Sequence, residues 1–263
     1  PEYDHIWMTV ALRGLVSGTL SVKVSHDGIH SGNSGGSIPS SFRIQRILLD
    51  RVEDSSSGKV RITEMHDEIT EEVRENALSL KDIVCDSIWE QFPTVDTLRQ
   101  ASETTEDMIV AMNWEPTLSI IGADGIPSVQ DAGNVLRTNT DLKLSFRIPP
   151  GVDSEYATAR AKEILEKDPP YGAEVTFTPD SSADGFRAPP LDGPISEAIN
   201  DASMELTGLP PLATWTGGTI PFMSMMQGKY PEAMFLCTGT SGPGNNAHGP
   251  DEKLHIPSSN RLT

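Results

Sequence analysis

The sequence predicts an α/β protein in which helices cover one face of a mostly antiparallel sheet. Two observations carry this prediction. Apolar and polar residues alternate with the two-residue period of a half-buried strand at 20–24 and again at 142–146. Segments with helical spacing follow each of these strands, so the order strand, helix, strand occurs twice. We therefore expect an α+β unit with two helices on an antiparallel sheet, joined to further α/β structure.

The first third of the chain alternates strands and helices. Residues 7–24 are expected to form one or two strands, and residues 26–36 a glycine-rich loop. A helix capped by Ser40 or Ser41 is expected at 41–54, a short strand at 60–63 and a long acidic helix at about 67–92. The apolar stripe of the first helix comprises Ile44, Ile47, Leu48 and Val52.

The rest of the chain repeats this alternation. Residues 94–113 fit either a helix or a loop. After them we expect strands at 116–121, 142–148, 173–178 and 233–237, and a loop at 122–133. Helices are expected at 154–167, capped by Asp153 or Ser154, and at 195–206. The segment 181–194 is rich in Gly, Pro, Asp and Ser, which indicates a domain boundary.

Composition limits the partners. The 263 residues include 38 acidic and 20 basic side chains, a formal charge of -18 that repels phosphate backbones and anionic lipid headgroups. We expect no nucleic-acid partner and no membrane partner, since apolar stretches also fall short of the roughly 20 residues needed to cross a bilayer. Cys85 and Cys237 belong to no metal-binding or redox motif. Free buried thiols are expected, which favours a reducing, cytoplasmic location.

The histidines differ in their settings. His5, His66 and His255 stand beside charged or polar residues and are interpreted as surface or capping residues. His26 and His30 have the spacing of zinc ligands on a helix, but the glycines around them argue against a helix. Small residues around His30 would let the loop approach a ligand. By composition alone, a glycine-rich turn with an incidental histidine explains this loop equally well.

His248 stands in a loop rich in Gly and Asn that follows an apolar segment. A histidine at the end of a strand is a candidate metal ligand. A zinc ion needs three or four protein ligands, so the partners of His248 must come from elsewhere. The same loop contains a glycine cluster at 239–244 that could bind phosphate. It lacks the Lys-Ser/Thr of a P-loop, so we rank the phosphate hypothesis last.

Four short motifs, taken together, resemble one superfamily. They are Asp-Gly-Ile-His-Ser-Gly around His30, preceded by Ala-Leu-Arg-Gly at 11–14; Leu-Ser-Phe-Arg-Ile-Pro-Pro around Arg147; Gly-Gly-Thr-Ile-Pro at 217–221; and Asn-Ala-His-Gly-Pro-Asp-Glu-Lys around His248. Their order and spacing are similar to those of the carnosine dipeptidase, aminoacylase and desuccinylase superfamily of two-zinc metallopeptidases. The resemblance spans nearly the whole chain.

This resemblance implies a domain organisation. In the superfamily, a lid domain that forms the homodimer interrupts the catalytic domain. By similarity, residues 1–13 end the first catalytic segment, 14–187 form the lid, and 188–263 belong to the C-terminal part of an α/β zinc-peptidase catalytic domain.

The resemblance also implies roles for three lid residues. His30 would reach into the partner subunit's active site and stabilise the oxyanion of the tetrahedral intermediate. Asn134 would offer its amide to the substrate. Arg147 would bind the substrate carboxylate with its planar guanidinium group. Without the resemblance, we would favour a structural interpretation of Arg147 over a substrate-binding one. Lys143 and Ser145 share its face of the strand, as expected of a face exposed to solvent.

The remaining roles fall after the lid. Gly217, Gly218, Thr219 and Ile220 would present backbone N–H groups and the Thr219 hydroxyl to the C-terminal end of the substrate. His248 would bind one of two zinc ions; the sequence does not distinguish zinc from manganese. Trp215-Thr216 replaces an Arg-Glu pair of the superfamily, which leaves the substrate preference open.

The sequence departs from the superfamily in its catalytic residues. The expected His-x-Asp pair, bridging Asp and Glu-Glu pair are not in their places; Glu71-Glu72 follows the His30 motif and is interpreted as a solvated helix face. We therefore assign no general base, and we expect that both ends of the chain are cut.

Two hypotheses result. In the first, the chain is an inactive fragment of a metallopeptidase, a dipeptidase or N-acyl amino acid amidohydrolase, that lacks its N-terminal catalytic half. In the second, the chain is a non-catalytic dimerisation or binding module.

Overall fold

The computed structural model describes residues 2–84, 87–191 and 193–263. Packing divides the chain into two units. The sheet unit comprises Arg13–Asp67 and Glu115–Gly185, and the flanking unit comprises the residues up to Leu12, Glu68–Trp114 and Phe186–Thr263. The segment 14–187, predicted to be the lid, therefore includes a stretch, Glu68–Trp114, that packs with the flanking unit. The division into a lid and a catalytic part remains a prediction.

The elements follow in chain order. The strands are β1 Trp7–Leu12, β2 Gly14–Lys23, β3 Ile29–His30, β4 Thr117–Asp124, β5 Val135–Leu136, β6 Asn139–Ile148, β7 Glu174–Ala183, β8 Phe186–Arg187 and β9 Leu212–Thr216. The helices are α1 Ser31–Ser34, α2 Ser41–Val52, α3 Glu71–Val84, α4 Ser87–Glu90, α5 Thr105–Asn113, α6 Ser154–Glu166, α7 Gly193–Thr207, α8 Pro221–Lys229 and α9 Ile256–Leu262. The α/β prediction is confirmed.

The sheet unit is built on four antiparallel strands in the order β4-β6-β2-β7. Strands β2 and β6 pair without interruption from Gly14↔Ile148 to Lys23↔Asn139. Because side chains alternate across a sheet, Leu144, Phe146 and Ile148 share one buried face, as the sequence pattern predicted. The polar residues between them lie on the opposite face.

Helices α2 and α6 cover the buried face of this sheet. Each begins at a predicted cap: the Ser40 hydroxyl accepts the Arg43 N–H at 3.2 Å, and the Asp153 carboxylate accepts the Tyr156 N–H at 2.8 Å. The core between helices and sheet is mainly apolar, and its most buried members include Leu20, Ile44, Leu48, Ile62, Met65, Leu144, Phe146, Ile148, Leu165 and Phe177. The prediction of two helices on an antiparallel sheet is confirmed.

One helix position differs from the prediction. Ile47 is 37% exposed, and Gln45 is fully buried in its place. The Gln45 amide donates to the carbonyl oxygens of Leu20 and Thr140, both at 2.8 Å. These bonds satisfy the amide N–H groups of the side chain inside the core, while its Oε1 is buried without a hydrogen-bond partner. Hydrophobic spacing alone does not reveal such a buried polar residue.

The flanking unit contains a smaller sheet in the order β8-β1-β9. Strands β1 and β9 are parallel, from Trp7↔Leu212 to Leu12↔Thr216. Helices α3 and α5 pack beside this sheet, and the core centres on Trp114 and Trp215, whose ring centroids are 5.4 Å apart. Throughout the described ranges, no helix is both long and apolar enough to cross a membrane.

Two predicted strands do not form. Residues 60–63 make one bridge, Glu53↔Val60, and then a 3-10 turn at Thr63–Met65. Residues 233–237 run beside β1, but the described contacts are a bond from the Thr9 N–H to the Cys237 carbonyl at 2.7 Å and the bridge Met8↔Thr238. In both segments, apolar residues pack without a paired ladder.

Other differences are smaller. Strand β4 continues to Asp124, into the predicted loop 122–133. The predicted loop 26–36 contains β3 and α1. His255, interpreted as a capping residue, does cap α9, because its Nδ1 accepts the Ser258 N–H at 3.3 Å. Cys237 is a partly buried free thiol, and Cys85 lies outside the described residues.

Candidate functional site

His30 is an exposed side chain at the end of β3. Its Nδ1 accepts the Gly32 N–H at 3.1 Å, so the neutral ring carries its proton on Nε2. A Cβ on Gly32 would lie 2.9 Å from His30 Cε1, which explains the glycine two residues after the histidine. The loop therefore holds an imidazole with a defined donor nitrogen.

The structure brings Asn134 next to His30. Strand β3 pairs with β5 in the register Ile29↔Leu136 and His30↔Val135. The Ser31 N–H donates to the Asn134 carbonyl at 2.9 Å. Two predicted site residues that are 104 positions apart in sequence thus meet at one short antiparallel ladder, His30 within β3 and Asn134 directly before β5.

Arg147 lies near the C-terminal end of β6, a central strand of the main sheet. It is half-buried on β6, opposite Leu15 on β2 and Thr117 on β4, on the face away from α2 and α6. Paired strands on both sides fix the position of its backbone. Arg147 is therefore not in a loop, and its side chain is not fully exposed to solvent.

Arg147 and Asn134 lie toward opposite ends of β6. The strand begins at Asn139, just after β5, and Arg147 is eight residues further along. At about 3.3 Å per residue, these eight residues span about 26 Å. The end of β6 that follows β5 and the end that carries Arg147 are thus separated by more than the length of one dipeptide.

Arg13 is a cation that our sequence reasoning missed. Its Nη1 donates to the Glu115 carbonyl at 3.3 Å and to the Thr117 hydroxyl at 3.4 Å. Burial, and secondly the charge of Arg147, lower the pKa of Arg13 to about 10. Arg13 belongs to the Ala-Leu-Arg-Gly motif, but nothing in the sequence shows that it approaches Arg147.

The residues 217–220 form the connection between β9 and α8. Ile220 is the N-cap residue of α8, its carbonyl accepts the Met223 N–H at 2.9 Å, and no side chain caps the helix start. The first N–H groups of a helix lack intrahelical partners and attract anions. The predicted substrate turn therefore leads into a helix start.

His248 is exposed in a loop and has a positive φ of 63°. Asn245 organises this loop: its Oδ1 accepts the Tyr3 hydroxyl at 2.5 Å and the Gly242 N–H at 3.0 Å. The Asn245 carbonyl accepts the Lys253 N–H at 2.8 Å. Asn245 is only 8% exposed and was also missed, because its main partner is 242 residues away.

The two predicted site elements of the flanking unit leave its sheet at opposite ends. The turn at 217–220 follows Thr216, which pairs with Leu12 at the end of β1. The loop of His248 is anchored on Tyr3, before the beginning of β1. The described contacts do not bring His248 to the turn.

The described residues do not by themselves form a metal site. They contain no group of three or more His, Cys, Asp or Glu side chains that could hold an ion. Glu71 and Glu72 are exposed at the start of α3, and Glu72 pairs with Arg187 at 3.0 Å, as expected of a solvated helix face. His248 as a metal ligand therefore remains a prediction.

Comparison with known sequences identifies dipeptidases as relatives. No family model matches the chain. It is 24% identical over 259 residues to the cysteinylglycine-S-conjugate dipeptidase of Corynebacterium striatum, covering 94% of this chain and 52% of that protein. It is 25% identical over 268 residues to the Cys-Gly metallodipeptidase DUG1 of Saccharomyces cerevisiae, covering 96% and 54%. The chain thus spans about half the length of these curated relatives.

Solved structures show the same fold. The dipeptidase Dug1p of Saccharomyces cerevisiae matches with a TM-score of 0.77 and 22% identity over 98% of this chain and 55% of that chain. Human carnosine dipeptidase 1 matches with a TM-score of 0.76 and 20% identity over 99% and 56%.

The fold of the chain therefore matches about half of each of these dipeptidase chains. Its sequence is similar to dipeptidases, which agrees with the resemblance drawn from its four motifs.

Proposed function

We propose that the protein carrying this chain is a metallopeptidase that hydrolyses the amide bond of a dipeptide or an N-acyl amino acid. The observation that carries the proposal is the ladder between β3 and β5, which brings the loop of His30 next to the backbone of Asn134 in a chain whose relatives are dipeptidases. Because the chain spans about half of those relatives, the activity is proposed for the whole protein. The 263 residues alone are expected to be inactive.

His248 is the metal ligand in this proposal. Two zinc ions, with manganese as the alternative, would activate the attacking water. The exposed imidazole of His248 can bind one ion, because Asn245 fixes its loop and leaves the ring accessible. The other ligands and the general base would come from sequence outside these 263 residues.

The chain's own residues bind and orient the substrate. The Nε2–H of His30 would donate to the developing oxyanion, and the Asn134 amide would bind the substrate beside it. The Arg147 guanidinium would bind the substrate carboxylate, and the turn Gly217, Gly218, Thr219 and Ile220 would bind the C-terminal end through backbone N–H groups.

A homodimer through the lid completes the site. An extended dipeptide is only about 7 Å long, whereas the stretch of β6 from Asn139, which follows β5, to Arg147 spans about 26 Å. His30 and Asn134 of one protomer would therefore serve the site that contains Arg147 of the other. The edge strand β4 offers a surface for this dimer, because its Ile120 and Ile121 side chains are 50% and 62% exposed.

Two further points belong to this proposal. The lid would comprise 14–187 and the C-terminal catalytic part 188–263. The location would be the cytoplasm, in keeping with the free thiol of Cys237.

The second candidate is a non-catalytic dimerisation or binding module. The observation in its favour is that the described residues hold no group of three metal-binding side chains. Metal content and hydrolysis separate it from the first candidate.

The first experiment measures hydrolysis of Cys-Gly, Ala-Glu and N-acetylalanine by the whole protein after chelation and addition of zinc or manganese. His248→Ala should reduce the bound metal. His30→Gln should lower kcat about 100-fold and keep the metal content, as expected for loss of an oxyanion donor. His26→Ala is the matched control, an exposed histidine in the same loop that should leave both unchanged. Hydrolysis by neither metal form, or equal effects of His30→Gln and His26→Ala, contradicts the proposal.

The second experiment tests the shared site. The His30→Gln and Arg147→Met homodimers are each expected to retain very little activity. Mixed dimers contain one site with both residues intact, so a random mixture should recover about a quarter of the wild-type activity. No recovery in dimers shown to be mixed would exclude the contribution of His30 from the partner.

A further inference from the structure

The main sheet of the sheet unit ends in two edge strands, β4 and β7. An edge strand presents backbone N–H and C=O groups to which a strand of another molecule can add. A sheet that is open at both edges can continue from copy to copy, whereas a sheet with one open edge stops at a pair. The state of each edge therefore decides how many copies of the chain can associate through this sheet.

The backbone of β7 is bonded to side chains of α6. Phe177 pairs in register with Leu20 of β2, but its N–H and C=O groups bond to the helix. The N–H donates to Glu166 Oε1 at 2.8 Å, and the carbonyl accepts from Lys162 Nζ at 2.8 Å. In an antiparallel ladder, every second residue directs both groups away from its partner strand. The two side chains thus occupy the donor and the acceptor that an added strand would use at Phe177.

The pair of Lys162 and Glu166 is not explained by the stability of the helix. Its members are one helical turn apart and also bond to each other. Lysine precedes glutamate, which is the less favourable order for such a pair on a helix. The side chains are 43% and 29% exposed, and an ion pair at the surface contributes little by itself. The distinguishing contacts of this pair are therefore its two bonds to the edge of β7.

Other residues of β7 also disfavour an added strand. Pro179 follows two residues after Phe177, in the same orientation toward the edge, and has no N–H to donate. Exposed carboxylates stand at Glu174 and Asp180. Charged residues and prolines are the usual means by which edge strands avoid pairing. From Phe177 to Asp180, β7 is therefore a closed edge.

Strand β4 has a different character. From Thr117 to Ala123 it has no charged residue and no proline, and Ile120 and Ile121 are 50% and 62% exposed. Each edge strand has one register shift, at 120–122 in β4 and at 179–181 in β7, so bulges do not distinguish them. The difference lies in the charges, the proline and the bonds to α6 that β7 has.

We propose that the pair of Lys162 and Glu166 closes β7 to strand addition, so that the sheet unit pairs with a second copy through β4 and the assembly stops at two chains. This inference rests on the proposed function, in which β4 forms the homodimer. The partner is a second copy of the same chain, and the pair on α6 excludes a third. Loss of the pair exposes the N–H and C=O of Phe177 and lets β4 of another copy add at β7.

The test measures the molar mass of the full 263-residue chain over a range of concentrations by analytical ultracentrifugation. The wild type should level off at two chains. Glu166→Ala frees the Phe177 N–H, so its mass should keep rising with concentration, to roughly twice the wild-type value or more. Glu163→Ala is the matched control, because it removes one negative charge from the same helix but its carboxylate pairs with Arg160 and not with β7. This variant should behave like the wild type.

Hydrogen exchange at low protein concentration reports the edge directly. The Phe177 amide should exchange about tenfold faster in Glu166→Ala than in the wild type, because its acceptor is gone, and at an unchanged rate in Glu163→Ala. Circular dichroism checks that each variant is folded. Lys162→Ala removes the bond to the Phe177 carbonyl and decides the outcome if Glu166→Ala is unfolded.

A second substitution shows whether growth uses β7. Thr178 is exposed on this strand, next to Phe177. A lysine on an edge strand blocks pairing, so Thr178→Lys added to Glu166→Ala should return the mass to two chains. Thr178→Lys also makes the net charge less negative. Weaker charge repulsion alone would therefore give the opposite result, stronger association.

Three outcomes overturn the inference: wild-type chains that grow beyond two copies, equal masses of Glu166→Ala and Glu163→Ala, or growth that Thr178→Lys does not stop. The proposed function fails separately. If the wild type stays monomeric, while Glu166→Ala associates and Thr178→Lys prevents this, the homodimer is wrong and the closed edge of β7 stands. If the whole protein hydrolyses no peptide, the peptidase proposal is wrong and the result for β7 is unaffected.

Discussion

The sheet unit and the flanking unit position their candidate site residues in different ways. In the sheet unit, Arg147 and His30 lie on paired strands, so the register of a ladder fixes their backbone. In the flanking unit, His248 lies in a loop that is held by a few hydrogen bonds, among them those to the Asn245 side chain. Strand register depends on a whole core, and the loop depends on a few hydrogen bonds. Substitutions should therefore act globally in the first unit and locally in the second.

The largest effect is expected from the core of the sheet unit. Phe146 is fully buried between the sheet and its helices, so Phe146→Ala removes a large apolar contact and leaves a cavity. The free energy of unfolding should fall by about 3–5 kcal/mol in urea denaturation. Val129→Ala, at a side chain 89% exposed in the same unit, should change it by less than about 0.5 kcal/mol. A Phe146→Ala loss as small as this control would show that register does not depend on the core.

The next effect tests the loop of the flanking unit. Asn245→Ala removes the acceptor of the Tyr3 hydroxyl and the Gly242 N–H and should cost about 1–2 kcal/mol. Hydrogen exchange should accelerate at residues 242–253 and stay unchanged in β1. Asn260→Ala, at an exposed asparagine of α9, is the control and should leave the loop protected. Unchanged exchange in Asn245→Ala would mean that other contacts hold His248.

The same contrast explains what the sequence could predict. Strands β2 and β6 and helices α2 and α6 were predicted because their alternation, spacing and caps are local. The ladder of β3 and β5 was not, because two-residue strands carry no period and their partners are more than 100 residues apart. The candidate residues themselves came from short motifs.

The missed residues share one property. Arg13, Gln45 and Asn245 each act through a partner that is distant in sequence, the nearest being 25 residues away. An arginine, glutamine or asparagine in isolation indicates a solvated surface, so residue type points away from these roles. Packing decides them, and the local pattern does not record it.

A smaller effect concerns the orientation of His30. In Gly32→Ala, the new methyl group would collide with the imidazole, as a Cβ there lies 2.9 Å from Cε1. The strand ladder should keep the backbone, so kcat of the whole protein should fall about tenfold while its metal content stays constant. Gly133→Ala, at a glycine with open space around it, is the matched control. If both variants keep full activity, the ring orientation seen here does not contribute to catalysis.

The smallest effect is expected at the turn of Asp54 in the sheet unit. Like the Asn245 loop, this turn is held by a side chain that accepts backbone N–H groups. Asp54 Oδ1 accepts the N–H groups of Ser56 and Ser57 at 3.0 and 2.9 Å, much as Asn245 accepts that of Gly242. Here, however, the bridge Glu53↔Val60 and the bond from the Asp54 N–H to the Lys59 carbonyl also close the turn. Asp54→Asn should therefore leave hydrogen exchange at 54–60 nearly unchanged.

The pH dependence of Asp54 supplies the sharper measurement. Hydrogen bonds from Ser56, Arg61 and Ser57 hold the pKa of this carboxyl well below its usual range. As pH falls, the unfolded state takes up the proton first, so the stability contributed by Asp54 is complete above about pH 5 and declines below about pH 4. The Tm of Asp54→Asn should lie slightly below that of the wild type at pH 7, and the difference should shrink by pH 3. A constant difference across this range would mean that the ionised carboxylate does not stabilise the turn, and that paired backbone alone holds it.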